Sequence, residues 1–228
     1  MALLGSLHER LGDFEAGELL LLQGLSRAQD RREQPILAHI CSALVTLLIS
    51  AHEAQLRQGD TERAQATAHR LAVQTARLHA LSREERSALA RAVQLSNIGA
   101  ALAVGDRLAE GAAMLEQSLA ACRAEDFGAV GMKALLRLAR IRLRQGLVDD
   151  AEAASDELAR WLERHPHAQA SADRAGLQAA IATARGQPEG PRPPNAKAQP
   201  VRPMQEQGLD EADLLDRLRA IEARALRR

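Results

Sequence analysis

Three stretches carry residue types that could do chemistry. "HEAQL" at 52–56 opens like the helix of a zinc protease, with His52 as a ligand and Glu53 as a base, but Leu56 stands where the second histidine must be. "GAVGMKA" at 128–134 offers glycines and Lys133, yet it lacks both the spacing and the hydroxyl of a phosphate loop. His165 and His167 flank Pro166 and could touch a metal, but no further ligand stands near them in sequence, and a solvated helix start is the better reading of the pair. No catalytic set remains, so the chain reads as a non-enzyme without a cofactor or metal.

A fourth pattern concerns binding. "RQGDTERA" (57–64) and "RQGLVDDA" (144–151) repeat an Arg, a Gly two residues on and an Ala five after that. An arginine recurring at one place in a repeat can clamp carboxylates through paired hydrogen bonds. A cation in the last turn of a helix also complements the helix dipole wherever it points. Both readings stand at this level.

The elements that would position these residues are helices. The 228 residues contain no Tyr, one Trp and two Phe, and Ala, Leu, Arg and Glu supply much of the rest, a composition that favours helix over sheet. Thirty basic and thirty acidic side chains cancel, so no global field draws the chain to nucleic acid or an anionic membrane. Two cysteines, Cys41 and Cys122, form neither a zinc signature nor a disulfide framework and read as small buried residues in a reducing compartment. The N-terminus lacks the apolar run of a signal peptide, and the strongest apolar stretch, 43–51, is shorter than the roughly 20 residues a bilayer needs, so the expected location is the cytoplasm. Lys133 and Lys197 are the only lysines; the dominance of Arg fits the codon bias of a GC-rich bacterial genome.

Apolar residues recur at mixed three- and four-residue steps from Ala2 to Gly186. The breaks between them predict helices over 2–11, 14–29, 35–57, 61–80, 83–104, 108–123, 127–144, 148–164 and 167–185. "SREE" (82–85) reads as a capping box starting a helix, Pro166 as a first-turn proline and Gly186 as the residue after a helix end. The turn glycines Gly12, Gly59, Gly105 and Gly146 give periods of 47, 46 and 41 residues, which is the mark of a helical-repeat array. Residues 187–207 hold six of the eight prolines with little apolar character and read as a linker. Residues 208–228 read as an amphipathic helix that caps the array, binds a partner or makes a homodimer.

"LGSLHERLGDFEAGELLLLQGL" (4–25), "NIGAALAVGDRLAEGAAMLEQSL" (97–119) and "RLARIRLRQGLVDDAEAASDEL" (137–158) resemble the tetratricopeptide repeat, with a weaker unit around His52, Gly59 and Ala64. Across all four units one spacing holds: Gly5 to Gly17, His52 to Ala64, Gly99 to Gly111 and Ala139 to Ala151 are each 12 residues apart. Small residues at both ends allow two antiparallel helices to touch. The repeats exceed the usual length of that family and look like the long-repeat type in sensor segments of bacterial regulators and diguanylate cyclases. The first unit lacks its opening turn, as if the chain began inside a repeat of a longer ancestor.

The resemblance implies an all-α domain over 1–186, about four antiparallel hairpins plus a capping helix, stacked as a right-handed solenoid. It also implies a peptide or protein partner bound in the concave groove formed by the first helix of each pair. Alignment then places Arg10, Arg57, Val104 and Arg144 at equivalent sites, Glu53 and Arg140 one turn back, and Ser96, Asn97 and Lys133 as the rest of the groove. The leading expectation is a non-catalytic interaction scaffold; the alternative is the helical sensor portion of a bacterial signalling protein without its output domain.

Overall fold

The computed structural model describes residues 12–186, all within one compact unit. The expected helix 2–11, the linker 187–207 and the segment 208–228 lie outside the described residues. Every regular element among the described residues is a helix: α1 (Phe14–Asp30), α2 (Gln34–Arg57), α3 (Thr61–Ser82), α4 (Ala88–Val104), α5 (Leu108–Glu125), α6 (Gly128–Arg144), α7 (Val148–Arg164) and α8 (Ala168–Ala184).

One turn geometry joins most of them. The N–H groups of Glu33, Asp60, Arg107, Phe127 and Leu147 reach back to the carbonyls of Ala28, Gln55, Leu102, Cys122 and Arg142 at 2.9–3.1 Å. Each bond closes around a residue with positive φ: Arg32, Gly59, Asp106, Asp126 or Gly146. This is a Schellman closure, which satisfies the orphan carbonyls of a helix end. After the second of these turns the new helix starts at once, the Asp60 side chain accepting from the Arg63 amide; Asp13 and Ser87 cap α1 and α4 by accepting from the Ala16 and Ala90 amides.

Three sequence expectations change here. Gly105 has a φ of −80°, and Asp106 takes the left-handed place at 59°, so the turn spacing becomes 47, 47 and 40 residues. "SREE" does not start a helix: Ser82 ends α3 with its hydroxyl donating to the His79 carbonyl, and Glu85 accepts from the amide of Ser87, the true cap of α4. The acidic residue reaches forward, because a serine and glutamate at that spacing do not say which helix they serve. Pro166 lies ahead of α8 rather than in its first turn, and the His167 ring caps the helix by accepting from the Ala170 amide at 3.2 Å. Gly186 does follow a helix end, at φ 70°.

Consecutive helices pack as antiparallel neighbours, and α2, α4, α6 and α8 also pack on one another in a row. Leu21 and Leu25 of α1 meet Leu44 and Leu48 of α2 and Leu71 and Leu78 of α3; a second cluster gathers Leu115, Leu119, Leu135, Leu158 and Trp161. Each of these side chains is at most 3% exposed and contributes about 1.5–3 kcal/mol by leaving water. α2 is long and apolar enough to cross a membrane, but 61% of its most apolar window is buried in this packing.

The 12-residue pairs mark where paired helices touch. A Cβ on Gly99 would lie 2.7 Å from the Gly111 carbonyl oxygen, and the reverse distance is also 2.7 Å. Ala139 and Ala151 are fully buried at the corresponding crossing of α6 and α7. In the second unit His52 replaces the small residue, and its Nδ1 donates to the Ala64 carbonyl at 2.9 Å. Gly5 lies outside the described residues.

Candidate interaction face

Within the row, α4 and α6 are buried on most sides, and what they leave to solvent is a narrow stripe. On α6 that stripe is Lys133, Arg137, Arg140 and Arg144, one helical turn apart, with buried residues on either side. On α4 the same angular positions hold exposed Leu89 and half-buried Val93, Ala100 and Val104, with Ser96 and Asn97 buried between them. An apolar strip interrupted by two polar residues therefore lies beside a strip of four cations.

Hydrogen bonds fix the register between these helices. Arg137 Nη1 donates to Ser96 Oγ at 2.8 Å and to Asn97 Oδ1 at 2.9 Å. Arg144 Nη1 donates to the Ala103 carbonyl at 2.7 Å, and Nη2 pairs with Asp106 at 3.2 Å. Residues 137 and 144 thus sit beside 97 and 103, so α4 and α6 run in the same direction, shoulder to shoulder. Asn97 Nδ2 completes the set by donating to Ser42 Oγ on α2 at 2.8 Å. Ser42, Ser96 and Asn97 are all buried, so this is a polar tie through three helices.

The expected residues fall into two groups. Ser96, Asn97, Lys133, Arg140 and Arg144 come together on α4 and α6. Glu53 and Arg57 are exposed on α2 but stand apart, about 16 and 22 Å along the helix from the Ser42 contact. Arg10 is outside the described residues. Within the first group the roles differ: Ser96 and Asn97 lie beneath the Arg137 guanidinium, whereas Arg140 is exposed and pairs with none of the described residues. Arg144 serves a helix end, as the dipole reading expects, but the end is that of neighbouring α4. Its ion pair with Asp106 is exposed and contributes at most a few tenths of a kcal/mol; the bond to the carbonyl is the stronger tie.

Sequence reasoning missed Ser42 and Arg137. Arg137 precedes Ala139 by two residues as Asn97 precedes Gly99, and Lys133, Arg137, Arg140 and Arg144 follow the i, i+4, i+7, i+11 spacing of one helix face. That spacing was the available signal. Ser42 had none, because the repeat spacing puts Ser50 opposite Asn97.

The remaining candidates have structural employment. His165 packs on Gly128 and its Nε2 lies 3.3 Å from Asp126, while His167 caps α8. Among the described residues no three His, Cys, Asp or Glu side chains gather as a metal site. Cys41 and Cys122 are fully buried, and burial pushes both thiols up, away from the reactive thiolate. A cleft of about 610 Å³ lies against α5 and α7, lined by Arg123, Asp126, Glu157, Arg160, Trp161 and others. Its charges largely satisfy one another. Arg123 holds Glu157 in a two-pronged pair at 2.8 and 2.7 Å, keeping that carboxyl below the usual carboxylate range, and Arg164 lies 5.1 Å from the Trp161 ring.

No protein-family model matches the chain, and no curated protein matches its sequence.

Proposed function

We propose that the chain is a non-catalytic scaffold of tetratricopeptide-like hairpins, stacked as a right-handed solenoid, that holds an acidic protein or peptide segment on the exposed stripe of α4 and α6. The observation that carries this reading is the run of four cations along one face of α6 in a chain whose net charge is zero. Charge concentrated on one face steers and orients a partner of opposite sign. Arg137 and Arg144 are already braced by α4, so their guanidinium groups are pre-oriented, which lowers the ordering cost of binding. Arg140 and Lys133 are the exposed cations beside them.

The test is quantitative capture of partners by the full chain and by the Lys133→Glu/Arg140→Glu variant, both checked for equal melting temperature. A protein recovered by the wild type and lost with the variant supports the reading. Equal recovery of every partner rejects it.

A further inference from the structure

The face also has a length and a pitch, which restrict what can lie on it. Leu89 to Val104 covers about 22 Å of α4, and the α6 cations span about 16 Å in three steps of one turn. An extended strand presents alternate side chains about 6.7 Å apart, so four of them on one side cover about 20 Å and drift out of step with the cations. A second helix has the same pitch as α6. Carboxylates at i, i+4, i+7 and i+11 on such a helix stay in register with all four cations when it lies along them.

The strip beside the cations has complementary chemistry. Leu89 is 45% exposed, and Val93, Ala100 and Val104 are half-buried, so α4 offers apolar contacts toward both ends of its stripe. Arg137 covers the middle, bonded to Ser96 and Asn97.

We infer that the partner segment is an amphipathic α-helix with one acidic edge, lying along α4 with its apolar side on Leu89, Val93, Ala100 and Val104 and its acidic edge against Lys133, Arg137, Arg140 and Arg144. This rests on the proposed function of the same face and adds the shape of its ligand. Apolar area supplies affinity, and the four cations set orientation and register.

The test uses the full chain and two synthetic peptides of equal composition, each about four turns long when helical. One carries Glu at i, i+4, i+7 and i+11 with Leu on the adjoining helical side; the other alternates Glu along a strand. Binding is read by fluorescence anisotropy and peptide helicity by circular dichroism. The helical-register peptide is expected to bind at least about tenfold more tightly, to gain helicity when bound, and to weaken about tenfold with Arg140→Glu and with Leu89→Glu. Equal binding of both peptides, each weakened by Arg140→Glu, overturns the helical ligand and leaves the binding face standing. Binding of neither, or binding indifferent to Arg140→Glu at unchanged melting temperature, overturns both.

Discussion

Asn97 donates to Ser42 at 2.8 Å, eight residues ahead of the Ser50 that the repeat spacing sets opposite it. The offset means that α2 is displaced along its axis relative to α4. The cations of α6 stay beside α4, while Arg57 is carried away from them. Asn97 is the hub, since its other side accepts from Arg137.

Asn97→Ala should therefore destabilise the chain by about 2 kcal/mol, because it strands the buried Ser42 hydroxyl and removes one acceptor from the Arg137 guanidinium. Denaturant midpoints check this. The double variant Ser42→Ala/Asn97→Ala should cost less than the two single changes added together, since the second change removes a group already orphaned.

Gly99→Ala adds a Cβ 2.7 Å from a backbone oxygen of α5, which no rotamer change relieves. Better helix propensity returns about 1 kcal/mol, so we expect a net loss of about 1–2 kcal/mol from overpacking. Ala151→Leu, at the equivalent fully buried crossing, should lose at least as much.

Arg32 holds the left-handed turn position at φ 56°, where the second unit uses Gly59. Arg32→Gly should stabilise by about 1 kcal/mol, raising the melting temperature by about 2–4 °C. Asp106→Gly should gain less, because Asp tolerates this conformation better and the Arg144 pair is lost.

These turns also show how far the sequence could be read. Helical periodicity placed most ends within a few residues, and the 12-residue spacing located the helix contacts, because 3.6-residue periodicity and close approach are local signals. Ser82 and Gly105 differ from expectation because several residues near a break can serve as a cap or take positive φ. The candidate face was half legible. Arg140, Arg144, Ser96, Asn97 and Lys133 came from alignment, but Arg137 depends on a neighbouring helix and Ser42 on an axial slip between helices. Spacing along one chain does not encode that slip.

Glu157 is a partly buried carboxyl with an acid signature, lowered first by the hydrogen bond from Arg123. A depressed carboxylate adds stability above its unfolded value near pH 4.3, and that stability is lost as pH falls through the lower folded value. Glu157→Gln should therefore flatten the stability profile between about pH 5 and pH 3 and have no pH-dependent effect from 6 to 8. Urea titrations across that range measure the slope.

Partners are proposed to sit on the α4 and α6 stripe. A photo-crosslinking side chain placed at Ala100, on that stripe, or at Arg160, beside the cleft lined by α5 and α7, tests it most directly. The partner captured by the wild-type chain should crosslink from position 100 and not from position 160. Crosslinking from position 160 alone would contradict the account and move the binding site to the cleft around Trp161.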